Sequence, residues 1–127
     1  MTKLGGDGVP LDTFPLEHAP RDLVYDGRAL WIANHLDGRV TKLSPDGVAL
    51  GSFPTGGGSE VLLFDGHDVW VANNDGKSVD HTVSRLGLDG EMLGTYSMGT
   101  GPVSLASDGN AIWVGNFFDS TVTRIRP

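Results

Sequence analysis

The sequence predicts an all-β protein built from one unit of four short strands that is repeated three times. Its 127 residues include 19 glycines and 7 prolines, a composition that favours many tight turns between strands. Nowhere do apolar residues follow the three-and-four spacing of an amphipathic helix. Asp-Gly recurs at Asp26, Asp65 and Asp108, and tryptophan recurs in step with it, at Trp31, Trp70 and Trp113. Both series advance by 39 and then by 43 residues.

Each repeat divides into the same four strands in the same order. The first strand is RDLVYDG (residues 21–27), matched by EVLLFDG and VSLASDG. The second is LWIAN (30–34), matched by VWVAN and IWVGN, and the third is RVTKL (39–43), matched by TVSRL and TVTRI. The fourth is VALGSFP (48–54), matched by EMLGTYS and by VPLDTFP (9–15). Four antiparallel strands in about 40 residues are the period of a β-propeller blade.

The connections between these strands fall into two kinds. Asp-Gly separates the first strand from the second and the third from the fourth, and it is a strong hairpin signal. In an up-and-down blade both of these turns lie at one end. The other two connections lie at the opposite end and differ between repeats, as HLDG, NDGKSVDH and FFDS or as PLEHAP, PTGGGS and SMGTG. We call this end the variable rim and expect any binding site there.

The tryptophans occupy one position in every repeat, so we expect them in the core between blades rather than in a ligand site.

The repeats predict a single half-propeller domain over residues 1–127. Its blades are expected at about residues 20–54, 59–97 and 102–126, with residues 9–15 supplying the fourth strand of the last blade. Known propellers close with about four to eight blades, so we expect two chains to form a six-bladed homodimer with exchanged strands. MTKL (1–4) and TVTRI (121–125) would compete for one third-strand position. We expect TVTRI to take it and residues 1–4 to be loose.

Charge and composition limit the classes of partner. The net charge of −7 and the pI of about 4.7 argue against nucleic acid and anionic membranes, whose phosphates would be repelled. The sequence has no cysteine and shows neither a signal-peptide core nor an apolar run of transmembrane length. A cytoplasmic location is therefore expected. The expected partners are a second copy and an unidentified small molecule or protein.

Two stretches, IWVGNFFDSTVTRI and VWVANNDGKSVDHTVSRL, resemble the repeats of the YVTN, NHL and streptogramin (virginiamycin B) lyase-like propellers. The resemblance extends along essentially the whole chain and implies the propeller fold. Such blades serve enzymes, sugar binders and scaffolds alike. In the lyase a histidine opens an inner strand and a glutamate ends a second strand, with magnesium as cofactor. The matching positions here hold Arg21, Glu60 and Val103, and Asn34, Asn73 and Asn116. We therefore assign no catalytic residue and no resident metal.

The candidate ligand-binding residues lie on the variable rim. They are Arg21, Asn34, His35, Glu60, Asn73, Asn116, Phe117 and His18. Arg21 and Glu60 occupy equivalent positions on neighbouring inner strands, where they either pair with each other or recognise a charged or hydroxylated ligand. The asparagines either cap turns or form a ring of amides at the channel mouth. Of Phe117 and Phe118, one is expected to pack on the blade and the other to offer a contact.

Three functions follow as alternatives. The first is a non-enzymatic propeller that binds a small ligand or a protein on its variable rim. The second is a metal-assisted lyase or hydrolase with a rearranged site around His18, His35 and Glu60, using Mg²⁺ or Ca²⁺ at the channel mouth. The third is a designed or fragmentary propeller without a ligand.

Overall fold

A computed structural model describes residues 1–16, 19–74 and 81–127. These residues contain thirteen strands and no helix, and so none of them forms a helix that could cross a membrane. The all-β prediction is confirmed. Two four-stranded antiparallel sheets, one three-stranded antiparallel sheet and one hairpin make up the described chain.

The first sheet has the order β3-β4-β5-β6 and the second the order β7-β8-β9-β10. The strands of the first sheet are Pro20–Tyr25, Leu30–Asn34, Arg39–Leu43 and Ala49–Pro54. Those of the second sheet are Ser59–Phe64, Val69–Asn73, Thr82–Leu86 and Met92–Ser97. The Asp-Gly pairs that end at Gly27, Gly47, Gly66 and Gly90 lie in connections between paired antiparallel strands, and each of these glycines adopts a positive φ.

The third sheet has three strands, in the order β11-β12-β13. They are Pro102–Ser107, Ile112–Asn116 and Thr121–Ile125. Residues at the beginning of the chain form a separate hairpin, in which β1 (Thr2–Leu4) pairs with β2 (Pro10–Thr13). The expectation that residues 1–4 are loose is therefore wrong for the single chain. The turn at Asp7 and Gly8 has the geometry of the other third-to-fourth turns, and it folds β1 back onto β2.

The sheets pack face to face around two apolar clusters. Trp31, Ala33 and Val40 of the first sheet pack against residues of the second sheet. Trp70 and its neighbours pack in the same way against the third sheet. Trp31 and Trp70 are fully buried, as expected for core residues. Trp113 differs, because 37% of its surface is exposed on the outer face of the third sheet.

Candidate functional site

An irregularity in each inner strand sets the direction of the side chains on the variable rim. In β3 the register with β4 shifts between Pro20 and Asp22, so Arg21 has no cross-strand partner. The same register shift leaves Glu60 in β7 and Val103 in β11 without a cross-strand partner. An extra residue of this kind is a β-bulge, which redirects its side chain and bends the strand. The bulges place Arg21 and Glu60 at equivalent points of adjacent inner strands.

Arg21, Glu60 and His35 form one charged cluster. The Nη2 atom of Arg21 donates a hydrogen bond to Oε1 of Glu60 over 3.0 Å. On the other side, Nδ1 of His35 lies 3.1 Å from Oε2 of Glu60, at ion-pair distance but without the geometry of a hydrogen bond. The Glu60 side chain is 16% exposed, whereas that of Arg21 is 55% exposed. Glu60 is thus held between two basic groups, and Arg21 presents part of its guanidinium to solvent.

A cleft of about 390 Å³ lies beside this cluster. Its walls come from the β4–β5 loop and the β6–β7 loop, and both belong to the variable rim. The lining residues are His35, Leu36, Asp37, Gly38, Pro54, Gly56, Gly57 and Gly58. Gly38 approaches the backbone of Gly57 so closely that a Cβ there would overlap its carbonyl oxygen. Glycine therefore permits the two loops to meet, and the cleft presents backbone groups as well as the His35 ring.

The three asparagines are buried side chains that brace their own sheets. The Nδ2 atom of Asn34 donates to Thr41, and that of Asn116 donates to Thr121 and Thr123. Asn73 is completely buried. Its Nδ2 atom donates to the carbonyl of Thr55 and to the hydroxyls of Thr82 and Ser84. The bonds to hydroxyls join second strands to third strands, and the bond to Thr55 ties β8 to the β6–β7 loop. Within the described part of the chain, Oδ1 of Asn73 and Oδ1 of Asn116 are buried without a hydrogen-bond partner.

The remaining candidates lie elsewhere. Phe117 and Phe118 follow β12 on the third sheet and stack edge to face, with ring centroids 5.2 Å apart. Both rings are largely exposed, although Phe118 also covers Gly101. His18 lies outside the described residues, and so does part of the NNDGKSVDHT loop. In residues 1–16, 19–74 and 81–127, no three histidine, aspartate or glutamate side chains come together as a metal site would require.

Two features of the site did not follow from the sequence. The contact between His35 and Glu60 joins the β4–β5 loop to strand β7 of the next repeat, and no local spacing in the sequence indicates it. The carboxylate of Asp22 accepts a hydrogen bond from the backbone N–H of Leu62 over 2.8 Å, which ties β3 directly to β7. The bulged residues, which follow Pro20, Ser59 and Pro102, are of three different types, so no residue type marks the bulges in the sequence.

Similar solved structures show which fold these sheets belong to. A candidate 6-phosphogluconolactonase from Bacteroides uniformis superposes with a TM-score of 0.77 and 14% identity, over 98% of this chain and 43% of that one. Streptogramin B lyase superposes with a TM-score of 0.69 and 18% identity, over 98% of this chain and 47% of that one. The fold is a β-propeller. BamB from Moraxella catarrhalis agrees, with a TM-score of 0.72, 20% identity and coverage of 94% and 37%.

The chain accounts for part of a propeller. It spans less than half the length of each of these structures, and its three sheets are consecutive blades. No protein-family model matches the sequence, and no curated protein matches it either. Sequence identities of 14–20% show that the fold is shared and show nothing about function. The propeller scaffold is therefore established, and a ligand can only be proposed.

Proposed function

We propose that this propeller is a non-enzymatic binding module that takes a small, hydroxylated or charged molecule into the cleft on its variable rim. The observation that carries the proposal is the position of the cleft, directly beside the Arg21–Glu60–His35 cluster. A cleft lined by backbone groups and the His35 imidazole offers both donors and acceptors to such a ligand. Loops on a rigid propeller are where binding sites of this kind occur.

The charged cluster favours binding over acid–base catalysis. The carboxylate of Glu60 is engaged on one oxygen by Arg21 and lies against His35 on the other. A general acid or base needs a carboxyl oxygen within reach of the reacting group, whereas a carboxylate clamped by two basic neighbours serves to position them. In this proposal Glu60 orients His35 toward the cleft and leaves the exposed face of Arg21 for an anionic or hydroxylated group.

Calorimetry with a panel of neutral sugars, sugar acids and sugar phosphates tests the proposal. We expect at least one compound to bind and the variants H35A and E60Q to weaken its binding about tenfold, since H35A removes a side chain that lines the cleft and E60Q weakens the contacts that hold Arg21 and His35 in place. His67→Ala is the matched control, because His67 follows an Asp-Gly turn on the opposite rim and its loss should leave binding unchanged. Equal binding by all four proteins would place the ligand elsewhere.

The same panel separates the alternatives. Binding that requires added Mg²⁺ or Ca²⁺, together with turnover of the compound, would favour the metal-assisted lyase or hydrolase. The failure of every compound, with capture of a protein that F117S abolishes, would favour a protein partner at the exposed Phe117–Phe118 pair.

We further propose that the functional form is a homodimer in which two half-rings make six blades. Three blades leave an open arc with two exposed ends, and known rings contain about four to eight blades. A two-fold axis closes such an arc with a second copy. Light scattering on a size-exclusion column should give twice the 13.4 kDa mass of one chain, and the mass of a single chain at micromolar concentration would refute this.

A further inference from the structure

The two contacts between sheets inside the chain define a standard interface. We call the side of a sheet that carries its tryptophan the front face and the opposite side the rear face. Trp31 on the front face of the first sheet is completely buried against the rear face of the second sheet, where it packs in one cluster with Leu62 and Val69. Trp70 is buried in the same way against Ile112 on the rear of the third sheet. A front face thus places a tryptophan between apolar residues of the next rear face.

In the part of the chain that the structure describes, the third sheet has a front face without such a neighbour. Trp113 is 37% exposed and Val122 is 66% exposed, whereas Val40 and Val83, the equivalents of Val122, are fully buried. Arg124 lies over the Trp113 ring at 5.5 Å, as Lys42 lies over Trp31. The face therefore has the composition and the internal arrangement of the two buried front faces.

The first sheet has a rear face that is only partly covered. A mainly apolar cavity of about 390 Å³ lies between this face and the β1–β2 hairpin. Leu23, Tyr25 and Leu30 line it, and they occupy the positions of Leu62, Phe64 and Val69 on the second sheet. Leu23 and Tyr25 are each about half exposed. The cavity therefore lies where the tryptophan of a preceding sheet would pack.

The β2 strand already stands where the fourth strand of that preceding sheet would stand. The ring of Phe14, which directly follows β2, covers Gly47 just as the ring of Phe53 covers Gly90 one repeat later. Phe53 packs against Trp31 with ring centroids 5.8 Å apart, and Tyr96 packs against Trp70 at 5.7 Å. Phe14 borders the cavity with no tryptophan beside it.

We propose that this cavity binds Trp113 of a second copy of the chain, and that β13 of that copy pairs with β2. The proposal rests on the homodimer proposed above and specifies its interface. A second copy is the occupant that fits, because one chain carries both the exposed front face and the incomplete rear face. Each chain supplies one exposed front face and one incomplete rear face. Two chains related by a two-fold axis therefore cover both pairs of faces at once.

The pairing requires β13 to displace β1. Within the chain Asp12 of β2 lies opposite Lys3 of β1, and Thr13 lies opposite Thr2. The register of β5 with β6, in which Thr41 faces Ser52, places Thr123 opposite Thr13 and Arg124 opposite Asp12. The exchange keeps a basic residue against Asp12. It also replaces a strand of three residues by one of five, so that more ladder hydrogen bonds form than are lost.

Two alternative disulfides distinguish the pairing of β2 with β13 from its pairing with β1, and the absence of cysteine from the sequence makes every crosslink assignable. We expect the T13C/T123C variant to oxidise to a covalent dimer on a non-reducing gel. The matched T2C/T13C variant locks β1 onto β2 within one chain, and we expect it to elute as a monomer. A dimeric wild-type protein whose T13C/T123C variant forms no interchain disulfide would overturn the strand exchange while leaving the homodimer intact. A monomeric wild-type protein would overturn both.

Substitutions on the two faces test the tryptophan contact itself. We expect W113A on the front face and L23R in the cavity each to weaken dimerisation at least about tenfold, as measured by analytical ultracentrifugation over a dilution series. Phe117→Ala is the control, since Phe117 is an exposed aromatic on the same sheet but on the rim. Circular dichroism must show that the variants keep their strands. Folded W113A and L23R proteins that dimerise like the wild type would overturn the contact, and the ligand panel can be run on either oligomer to test rim binding separately.

Discussion

One aspartate in each repeat fastens a turn to the core. The Oδ1 atom of Asp65 accepts hydrogen bonds from the backbone N–H groups of His67 and Asp68, and its Oδ2 atom accepts one from the indole of Trp70 over 2.8 Å. Asp26 and Asp108 make the equivalent bonds. The carboxylate thus satisfies the turn and the one polar group of the tryptophan together, which allows that ring to be buried.

Replacing one of these carboxylates by an amide should destabilise the fold. In Asp65→Asn one oxygen becomes an N–H₂ group, so that either the indole or the turn N–H groups lose their acceptor in a buried setting. We expect the free energy of unfolding to fall by about 1–3 kcal/mol, measured by urea denaturation. Asp108→Asn is the comparison, and it should cost less because Trp113 is partly exposed. If the two substitutions lowered the free energy of unfolding equally, burial of the tryptophan would not be the cause of the loss.

The same aspartates predict an acid-sensitive stability. At Asp26 and Asp65 burial by itself would raise the pKa, but the hydrogen bonds from tryptophan and backbone outweigh it and leave the pKa below the usual 3.8. At Asp108 the bond from Trp113 is the main cause of the lowered pKa. The folded state therefore binds fewer protons than the unfolded state in acid. The stability that these carboxylates contribute is complete above the unfolded pKa and is lost as the pH falls through the lower folded values.

Urea unfolding from about pH 6 down to about pH 2 measures this dependence. The midpoint should fall on acidification, and the Asp65→Asn variant should show a shallower fall than the wild type. A midpoint that stays constant or rises in acid would show that these carboxylates carry no linkage to folding.

At the scale of an element, the third-to-fourth hairpins share one construction. In β5–β6 the backbone N–H of Ser44 donates to Val48 and that of Gly47 donates to Ser44, and the β1–β2 and β9–β10 hairpins repeat both bonds. The turn glycine has a φ of 84° at Gly47 and 88° at Gly90, a conformation that glycine adopts without steric cost. At Gly47 and Gly90 an aromatic ring from the preceding repeat, that of Phe14 or Phe53, covers the glycine, whereas the space at Gly8 is open. The hairpin turn is therefore also a packing surface.

Because some turn glycines are also packed against a ring, we expect their substitution by alanine to destabilise the fold more than substitution of an uncovered turn glycine. Gly90→Ala places a methyl group both in a left-handed conformation and against the ring of Phe53. In Gly66→Ala the conformation is just as unfavourable, with a φ of 98°, but the space around the new Cβ is open. We expect Gly66→Ala to lower the free energy of unfolding by about 1 kcal/mol and Gly90→Ala by roughly 1–3 kcal/mol more, measured by thermal or urea unfolding. Similar losses would show that the ring moves aside freely.

At the scale of the whole molecule, net charge and exposed apolar surface act in opposite directions. Each chain carries a formal charge of −7, so that two copies repel each other at a distance, while the exposed faces around Trp113 and Leu23 favour contact. Salt screens the repulsion and leaves apolar burial in place. The dimer dissociation constant should therefore decrease a few-fold between low and moderate NaCl concentration in ultracentrifugation. An increase would indicate that the Arg124–Asp12 pair dominates the interface.

Local sequence patterns were sufficient to predict most of the architecture. The strands, the Asp-Gly turns and the blade order follow from alternation, glycine placement and the repeat, because each depends on residues close together in the chain. The pairing of Arg21 with Glu60 was one of two readings that the sequence left open, and the structure contains it. Residues 1–4 are not loose as expected, because the Asp7–Gly8 turn closes a hairpin that pairs them with β2 of the same chain.

An all-β propeller of repeated four-stranded units, and the rim that carries its variable loops, can be predicted from the amino-acid pattern. The packing of the sheets had to be known before three further features were visible: bulges bring Arg21 and Glu60 against each other, His35 joins them beside a cleft, and Trp113 differs in exposure from Trp31 and Trp70. The two groups of features differ in the range of the interactions that produce them. Turn and strand preferences are set within a few residues, whereas these contacts link residues a whole repeat apart and depend on how one sheet stacks on the next.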